Sequence, residues 1–211
     1  MNELLERAGR RFARLAARAV VAWPGLWRLF RGPLRLQFDR LAPVWEARRG
    51  AEALAPLTAA LDHLEEEPRR VLDLGTGTGK GARLVAERFP QAEVVAVDLA
   101  PAMVAEARRL LAPELAGRVR FEVADASALP FEDRAFDLVV LLNMIPFFEE
   151  LARVTAPGGV LVFAWFSGSA TPIYTPPATL EERLAPLGFE RFQRLAAGEG
   201  TALLARRRKP G

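Results

Sequence analysis

The sequence predicts an α/β protein with a mostly parallel sheet that is covered by helices on both faces. From about residue 69 onward, short apolar segments alternate with stretches of helical period, and the connections between them are short. Residues 136–143 are continuously apolar, which is typical of a strand buried on both faces. The chain ends on two β-like segments that flank AGEG, a pattern typical of a hairpin.

The elements are predicted in chain order from periodicity and from helix-breaking residues. Before the sheet, helices are predicted at residues 3–21, 34–47 and 51–67, separated by Trp23-Pro24-Gly25 and Gly32-Pro33. Seven strands are predicted at residues 71–74, 93–99, 118–125, 136–143, 160–166, 189–195 and 201–207. The later helices are predicted at residues 79–89, 101–111, 147–155 and 180–188, with a turn at Pro157-Gly158-Gly159.

The composition is that of an ordinary soluble globular protein. With 211 residues, of which 51% are hydrophobic and 26% charged, the chain is long enough for one well-buried domain and a small appendage. There is no cysteine and one histidine, His63, so disulfides, cysteine nucleophiles and thiolate zinc sites are excluded and no metal is expected. No apolar run approaches the ~18 residues that span a bilayer, and a cytoplasmic location is expected.

The charge is unevenly distributed along the chain. Residues 1–50 carry a net charge of +7 and the remainder −4, which suggests basic N-terminal helices at 1–50 and a separate domain at 51–211. In the first helix, an apolar face is predicted to consist of Leu4, Leu5, Ala8, Phe12, Leu15, Ala16 and Ala19, with arginines opposite. Residues 3–31 could therefore contact a membrane surface, bind a partner or pack on the domain. Nucleic acid is not expected, because the body is acidic and shows no recognition motif.

A glycine run follows the first predicted strand and can be read in two ways. VLDLGTGTGKGA, residues 71–82, fits G-x-G-x-G from Gly75 and the dinucleotide fingerprint G-x-G-x-x-A from Gly77. Asp73 separates the two readings, because a carboxylate before the loop would repel a pyrophosphate but suits a ligand with a cationic amino group. S-adenosylmethionine carries such a group.

Two further acids lie at predicted strand ends. Asp98, after the second strand, can accept both ribose hydroxyls in either cofactor class. Asp125, after the third strand, can accept an adenine amino group while the N–H of Ala126 donates to the ring. This third position is not part of the dinucleotide fingerprint, so it favours S-adenosylmethionine.

Four blocks together resemble the class I S-adenosylmethionine-dependent methyltransferases: VLDLGTGTG, VVAVDLAPAMVAEAR, VRFEVADASALPF and FDLVVLLNMIPFFEELARVTAPGGVLVFAW. The resemblance covers about residues 69–207 and implies a Rossmann-like sheet of order 3-2-1-4-5-7-6, whose seventh strand is antiparallel. It implies S-adenosylmethionine as the methyl donor, with S-adenosylhomocysteine as the product. The cofactor-binding residues it implies are Asp73, Gly75, Thr76, Gly77, Gly79, Asp98, Leu99, Met103, Asp125, Ala126 and Asn143.

The acceptor is less well defined by the sequence. The segment at 38–50 resembles one that covers the cofactor in quinone- and small-molecule-methylating members, which implies Phe38, Leu41 and Trp45 as lining residues. A small-molecule acceptor of quinone- or lipid-like character is therefore expected. No general base stands out, and Asn143 and Tyr174 are the candidate catalytic residues. The alternatives are a cofactor-binding protein without catalysis and an NAD(P)-dependent oxidoreductase; the oligomeric state is open.

Overall fold

The computed structural model describes residues 3–46 and 51–209, and within them it contains one seven-stranded sheet. The strand order is β3-β2-β1-β4-β5-β7-β6, with β7 antiparallel to both of its neighbours, as the resemblance implied. The strands are β1 Arg70–Leu74, β2 Glu93–Asp98, β3 Val119–Val123, β4 Phe136–Leu142, β5 Thr155–Trp165, β6 Phe189–Ala197 and β7 Gly200–Arg207. The predicted fold class is therefore confirmed.

Helices cover both faces of the sheet. The α-helices are α1 Glu3–Ala22, α2 Trp27–Trp45, α3 Ala55–Leu61, α4 Lys80–Arg88, α5 Pro101–Arg109, α6 Phe148–Val154 and α7 Pro177–Leu184. Short 3-10 turns lie at Pro24–Leu26, Ala51–Leu54, Pro113–Leu115, Gly168–Ala170 and Ala185–Leu187. Apolar residues of α1, α2, α6 and α7 form one buried cluster with the sheet, and those of α3, α4 and α5 form the other.

Helix α2 differs from its prediction. It begins at Trp27 and runs through Pro33 and Pro43, whereas the sequence predicted a helix that starts only after Gly32-Pro33. Pro33 removes the N–H that would bond to the carbonyl of Leu29, and both residues are exposed, so water can solvate that carbonyl. A proline on the solvent side therefore does not end this helix.

Two other boundaries were wrong. The helix predicted at 51–67 ends at Leu61, because the next residues are mostly charged and close a turn through the N–H of His63, which donates to Ala60. Strand β5 begins at Thr155, so Pro157-Gly158-Gly159 lies inside the strand rather than in a turn before it. Gly158 has a φ of 79°, and the pairing of β4 with β5 shifts register at this point, which is how the irregularity is accommodated.

Helix α1 packs on the domain through a face that overlaps the predicted one only in part. Ala13, Ala16, Ala17 and Val20 are buried, whereas Leu15 is 66% exposed. The side chains of Leu4 and Leu5 lie outside the described set. The buried stripe is rotated toward small residues, since alanine lets the helix approach α2 and the sheet closely. The division into 1–50 and 51–211 stays a prediction.

The ends of β1, β2 and β4 meet at one edge of the sheet, where α2 also lies. The residues that follow these strands are therefore brought together from distant parts of the sequence. None of the described helices is both long enough and apolar enough to cross a membrane.

Candidate active site

Three glycines after β1 turn the backbone away from the sheet. Gly75, Gly77 and Gly79 have φ values of 74°, 55° and 84°, which glycine adopts without the steric cost that other residues meet. A Cβ on Gly75 would lie 2.6 Å from Met144 Sδ. The loop therefore passes close to the residue segment after β4 and leads into α4, which begins at Lys80.

Asp73 is a carboxylate buried in the sheet, with 1% of its surface exposed. Its Oδ2 accepts a 2.6 Å hydrogen bond from the Thr76 hydroxyl, while Oδ1 has no hydrogen-bond partner among the described residues. Burial raises the pKa of Asp73 to about 6, although Thr76 and the N–H of Ala82 act to lower it. Asp73 also lines a cavity, and a cationic donor there would suit a buried carboxylate that has one unpaired oxygen.

Asp98 ends β2 and ties the glycine loop to that strand. Its Oδ2 accepts the N–H of Gly77 at 2.8 Å, and its Oδ1 accepts the N–H of Ala100 at 2.9 Å. Burial raises the pKa of Asp98, and these two N–H groups partly oppose the rise. Each oxygen keeps a second acceptor position, so the carboxylate can still receive two hydroxyl donors, such as those of a ribose.

Asp125 follows β3 and is held by the N-terminal helices. Its Oδ1 accepts hydrogen bonds from Trp27 Nε1 at 2.7 Å and from the N–H and hydroxyl of Ser127, and its Oδ2 pairs with Arg31 at 3.4 Å. Partial burial raises the pKa of Asp125, but these hydrogen bonds outweigh it and hold the pKa below its usual value. Ala126, the next residue, lines the cavity.

Helix α2 is fastened beside the strand ends by two acids. Asp39 Oδ1 accepts the N–H of Ala102 at 3.0 Å, in the first turn of α5. Glu46, just past the end of α2, accepts the Thr78 hydroxyl at 2.6 Å and Arg83 Nη2 at 2.9 Å. The two carboxylates thus connect α2 to the elements that follow β2 and β1.

The predicted covering residues lie on the inner side of α2. Phe38, Leu41 and Trp45 pack against Met103 of α5, and the rings of Phe38 and Trp45 meet edge to face at 5.7 Å. A Cβ on Gly77 would be 3.4 Å from Trp45 Nε1. These side chains are therefore close to residues implied for the cofactor, and their contact with an acceptor stays a prediction.

A cavity of about 830 Å³ lies between the strand ends and helices α1 and α2. The predicted site residues that line it are Phe38, Leu41, Trp45, Asp73, Gly75, Thr76, Gly77, Asp98, Leu99, Met103, Ala126 and Asn143. The structure therefore brings most of the implied residues to one cavity, although their individual roles stay predictions. Apolar side chains of α1, α2 and the segment at 171–173 extend the lining away from the strand ends.

Three predicted residues do not line this cavity. Gly79 lets the loop pack closely on Phe121, because a Cβ at this position would lie 2.8 Å from the Phe121 ring. Asp125 is engaged by α2 as described above. Tyr174 packs edge to face on Trp165, with 5.0 Å between the ring centroids, so its side chain is directed at β5.

Asn143 lies in the turn that ends β4. Its φ is 56°, a region that asparagine tolerates better than most residues, and its N–H donates to Ala164 at 2.9 Å. Its Oδ1 accepts a 3.3 Å hydrogen bond from the N–H of Phe166. Asn143 therefore has a structural part in the turn, and its expected roles in cofactor binding and catalysis stay predictions.

The sequence did not single out Thr78, Met144 or Gln37, which also line the cavity. Thr78 is inside the glycine run, so its position carried a usable signal. Gln37 carried none, because it reaches the cavity through the packing of α2 on α1, where a Cβ on Gly9 would lie 3.0 Å from its Nε2. Within the described chain there is no cluster of acids and histidines suited to a metal ion.

The sheet order and the acids at its strand ends define a class I methyltransferase fold. Residues 71–159 match the family model of a methyltransferase domain. A solved structure with the same fold is the methyltransferase in complex with the Trm112 methyltransferase activator of Haloferax volcanii. It superposes with a TM-score of 0.68 at 18% identity, over 81% of this chain and 97% of that chain.

The central part of the chain is similar in sequence to proteins named as methyltransferases. A demethylmenaquinone methyltransferase of Thermus thermophilus is 50% identical over 111 residues, which are 49% of this chain and 50% of that protein. A malonyl-(acyl-carrier protein) O-methyltransferase of Halorhodospira halophila is 46% identical over 142 residues, which are 63% of this chain and 48% of that protein. The chain thus spans about half the length of the curated relatives it matches.

Proposed function

We propose that the protein transfers a methyl group from S-adenosylmethionine to a small lipophilic acceptor. The observation that carries the proposal is the buried Asp73, which lines the cavity and whose Oδ1 lacks a partner among the described residues. A buried carboxylate with one oxygen left unpaired is costly, so its presence favours a cationic ligand at this place. The methionine amino group of S-adenosylmethionine fits this requirement.

The residues around Asp73 would hold the remainder of the cofactor. Asp98 would accept the ribose hydroxyls with its two free acceptor positions. Leu99, Met103 and Ala126, which line the same cavity, would border the adenine. When bound, S-adenosylmethionine supplies a methyl group that is already activated on a sulfonium.

The task left to the chain is to orient the acceptor and to exclude water. Positioning alone can contribute on the order of 7–11 kcal/mol in favourable cases, so a strong general base is not required unless the acceptor must lose a proton. Asn143 is the polar group at the end of β4 that faces the cavity. Its side chain is already bonded to Phe166, which fixes its orientation.

A lipophilic acceptor suits the outer part of the cavity. The lining of the cavity includes Phe12, Leu34, Ile145 and Ile173, with Gln37 as a polar group among them. One relative is a demethylmenaquinone methyltransferase, and demethylmenaquinone is also lipophilic. We place the protein in the cytoplasm, with peripheral contact at the inner face of the membrane through residues 3–31, and we expect no nucleic acid partner.

Isothermal titration calorimetry with S-adenosylmethionine, S-adenosylhomocysteine and NADH tests the donor. We expect binding of the first two and none of NADH; the reverse pattern would make the protein a dinucleotide enzyme. Turnover is tested with radiolabelled methyl donor and a panel of quinols and acyl thioesters. Cofactor binding without transfer to any acceptor of the panel would favour a binding protein that lacks catalysis.

A further inference from the structure

Exposed large apolar side chains are concentrated in the two N-terminal helices. Among the described residues six such side chains are exposed, and one of them, Val123, lies on the edge strand β3. The other five lie between residues 15 and 44: Leu15 at 66%, Trp23 at 69%, Leu29 at 68%, Leu36 at 51% and Val44 at 43% exposed. Such a concentration marks an interaction surface more often than chance exposure does.

In α2 these residues form a continuous stripe. The stripe consists of residues at intervals of three and four: Leu29, Pro33, Leu36, Arg40 and Val44. Since an α-helix rotates by ~100° per residue, they lie within an arc of roughly 80°. All five are exposed. The buried residues of the helix lie on the opposite side. The stripe is therefore the outer face of α2.

Helix α1 adds a basic face on the same side. The two helices pack side by side and antiparallel, as shown by Gly9 against Gln37 and by the rings of Phe12 and Phe30 at 5.9 Å. Around the axis of each helix, the residues that face the other helix lie between the buried face and the exposed face. The exposed faces of α1 and α2 consequently look to the same side of the hairpin, which has Trp23 near its tip.

The charge of this hairpin is almost entirely positive. Between residues 7 and 45 there are nine arginines and one acid, Asp39, whose carboxylate is turned inward to the N–H of Ala102. Arg11 and Arg18 of α1 and Arg40 of α2 lie on the outer face, and all three are exposed. Apolar side chains bordered by arginines suit a surface that is both negatively charged and apolar.

The cavity opens on this same face. Pro33, Leu36 and Arg40 belong to the outer stripe and also line the cavity, together with Ala8 of α1. A surface placed against the stripe would therefore lie over the cavity entrance. An apolar molecule could pass from that surface to the strand ends without crossing water.

We propose that the outer face of the α1–α2 hairpin docks on an anionic phospholipid bilayer and holds the cavity entrance against it. The docking residues are Leu15, Trp23, Leu29, Leu36 and Val44, together with Arg11, Arg18 and Arg40. This surface differs from the face predicted for α1 alone, since Ala16 of that face is buried against the domain. The route for the acceptor rests on the proposed function, whereas the docking itself does not.

Vesicle co-sedimentation of the full chain tests the docking. We expect binding to vesicles that contain phosphatidylglycerol, little binding to pure phosphatidylcholine, and release at 0.5 M salt. Leu29→Gln/Val44→Gln and Arg11→Gln/Arg18→Gln should each lower the partition coefficient tenfold or more. The matched controls Val123→Gln and Arg69→Gln/Arg70→Gln, which change exposed residues elsewhere, should bind as the wild type does.

Three results would overturn the proposal: no binding of the wild type to anionic vesicles, equal losses in the controls, or a dimer that only the hairpin variants dissociate. The last result would show that a second copy covers this face. Calorimetry with S-adenosylhomocysteine keeps the two proposals apart. The Leu29→Gln/Val44→Gln protein, whose changes lie outside the cavity lining, should retain its affinity within about twofold, and a wild type that binds vesicles but no cofactor would refute the proposed function alone.

Discussion

At the scale of single residues, the buried Asp73 makes the stability of the protein depend on pH. The pKa of Asp73 is about 6 in the folded protein, compared with an ordinary value of 3.8 for an aspartate. Between pH 3.8 and pH 6, the folded state therefore binds more protons than the unfolded state. The free energy of unfolding therefore falls as pH rises from about 4 to 6, by up to about 3 kcal/mol. A bound cation would favour the ionised carboxylate and reverse this loss.

Asp73→Asn should separate binding from stability. The amide has nearly the same shape but no charge, so we expect cofactor affinity to fall a hundredfold or more. The variant should be at least as stable as the wild type at pH 8, because no buried anion remains. Calorimetry measures the affinity, and thermal unfolding at pH 4 and 8 measures the stability.

Asp137→Asn is the matched control for this change. Asp137 accepts the N–H groups of Arg69 and Arg70 at the opposite end of the sheet. Its amide variant should lose about 1–2 kcal/mol of stability and keep its cofactor affinity. If both variants lost affinity equally, the role given to Asp73 would be wrong.

Gly79 and Gly188 allow the packing role of the glycine run to be measured. Both have positive φ, but a Cβ on Gly79 would meet the Phe121 ring at 2.8 Å, whereas nothing lies within 4 Å of one on Gly188. Gly188→Ala should cost about 1 kcal/mol and Gly79→Ala about 1–3 kcal/mol more, as urea unfolding would show. Equal costs would mean that the Phe121 contact does not constrain the loop.

At the scale of elements, α2 lies across the strand ends and is held there by contacts along its length. It is held at Asp125 through Trp27, at α5 through Asp39 and at the glycine loop through Glu46. These contacts join residues up to 98 positions apart in the chain. These contacts form together only when the whole helix is in place. If they loosened, the cavity would open without unfolding of the sheet.

Glu46→Gln should loosen the C-terminal end of helix α2. The change removes the charge that pairs with Arg83, in a partly exposed site, so the expected loss of global stability is below about 1 kcal/mol. Hydrogen exchange of the amides at the end of α2 should nevertheless speed up several-fold. Glu122→Gln, which removes an exposed pair with Arg120, is the control and should leave exchange in α2 unchanged.

At the scale of the whole molecule, the site joins both helical layers and the sheet, so a ligand should stabilise the complete fold. S-adenosylhomocysteine at a hundred times its dissociation constant should add about 2.7 kcal/mol. For a chain of this size, the melting temperature should rise by about 5–10 °C. Differential scanning calorimetry measures the shift, and a similar rise in Asp73→Asn would contradict the proposed binding mode.

The sequence by itself determined the sheet and the positions of its chemistry. Alternation of apolar strands and helices is a local pattern, and Asp73, Asp98 and the glycines are placed by the strand ends that precede them. The class of protein could be inferred because four sequence blocks together resemble the class I S-adenosylmethionine-dependent methyltransferases. The helix bounds at Pro33 and Glu67 could not be inferred, because whether a helix continues there depends on which of its sides meets water.

Only the tertiary structure decided what surrounds these residues. The hold of Trp27 on Asp125, the inward turn of Tyr174 and the burial of Ala13 rather than Leu15 all arise from the packing of α1 and α2 on the sheet. Contacts between residues far apart in sequence leave no periodic trace in either segment. For the same reason the sequence could indicate the methyl donor, while the cavity entrance and its basic, apolar rim emerged from the packed helices.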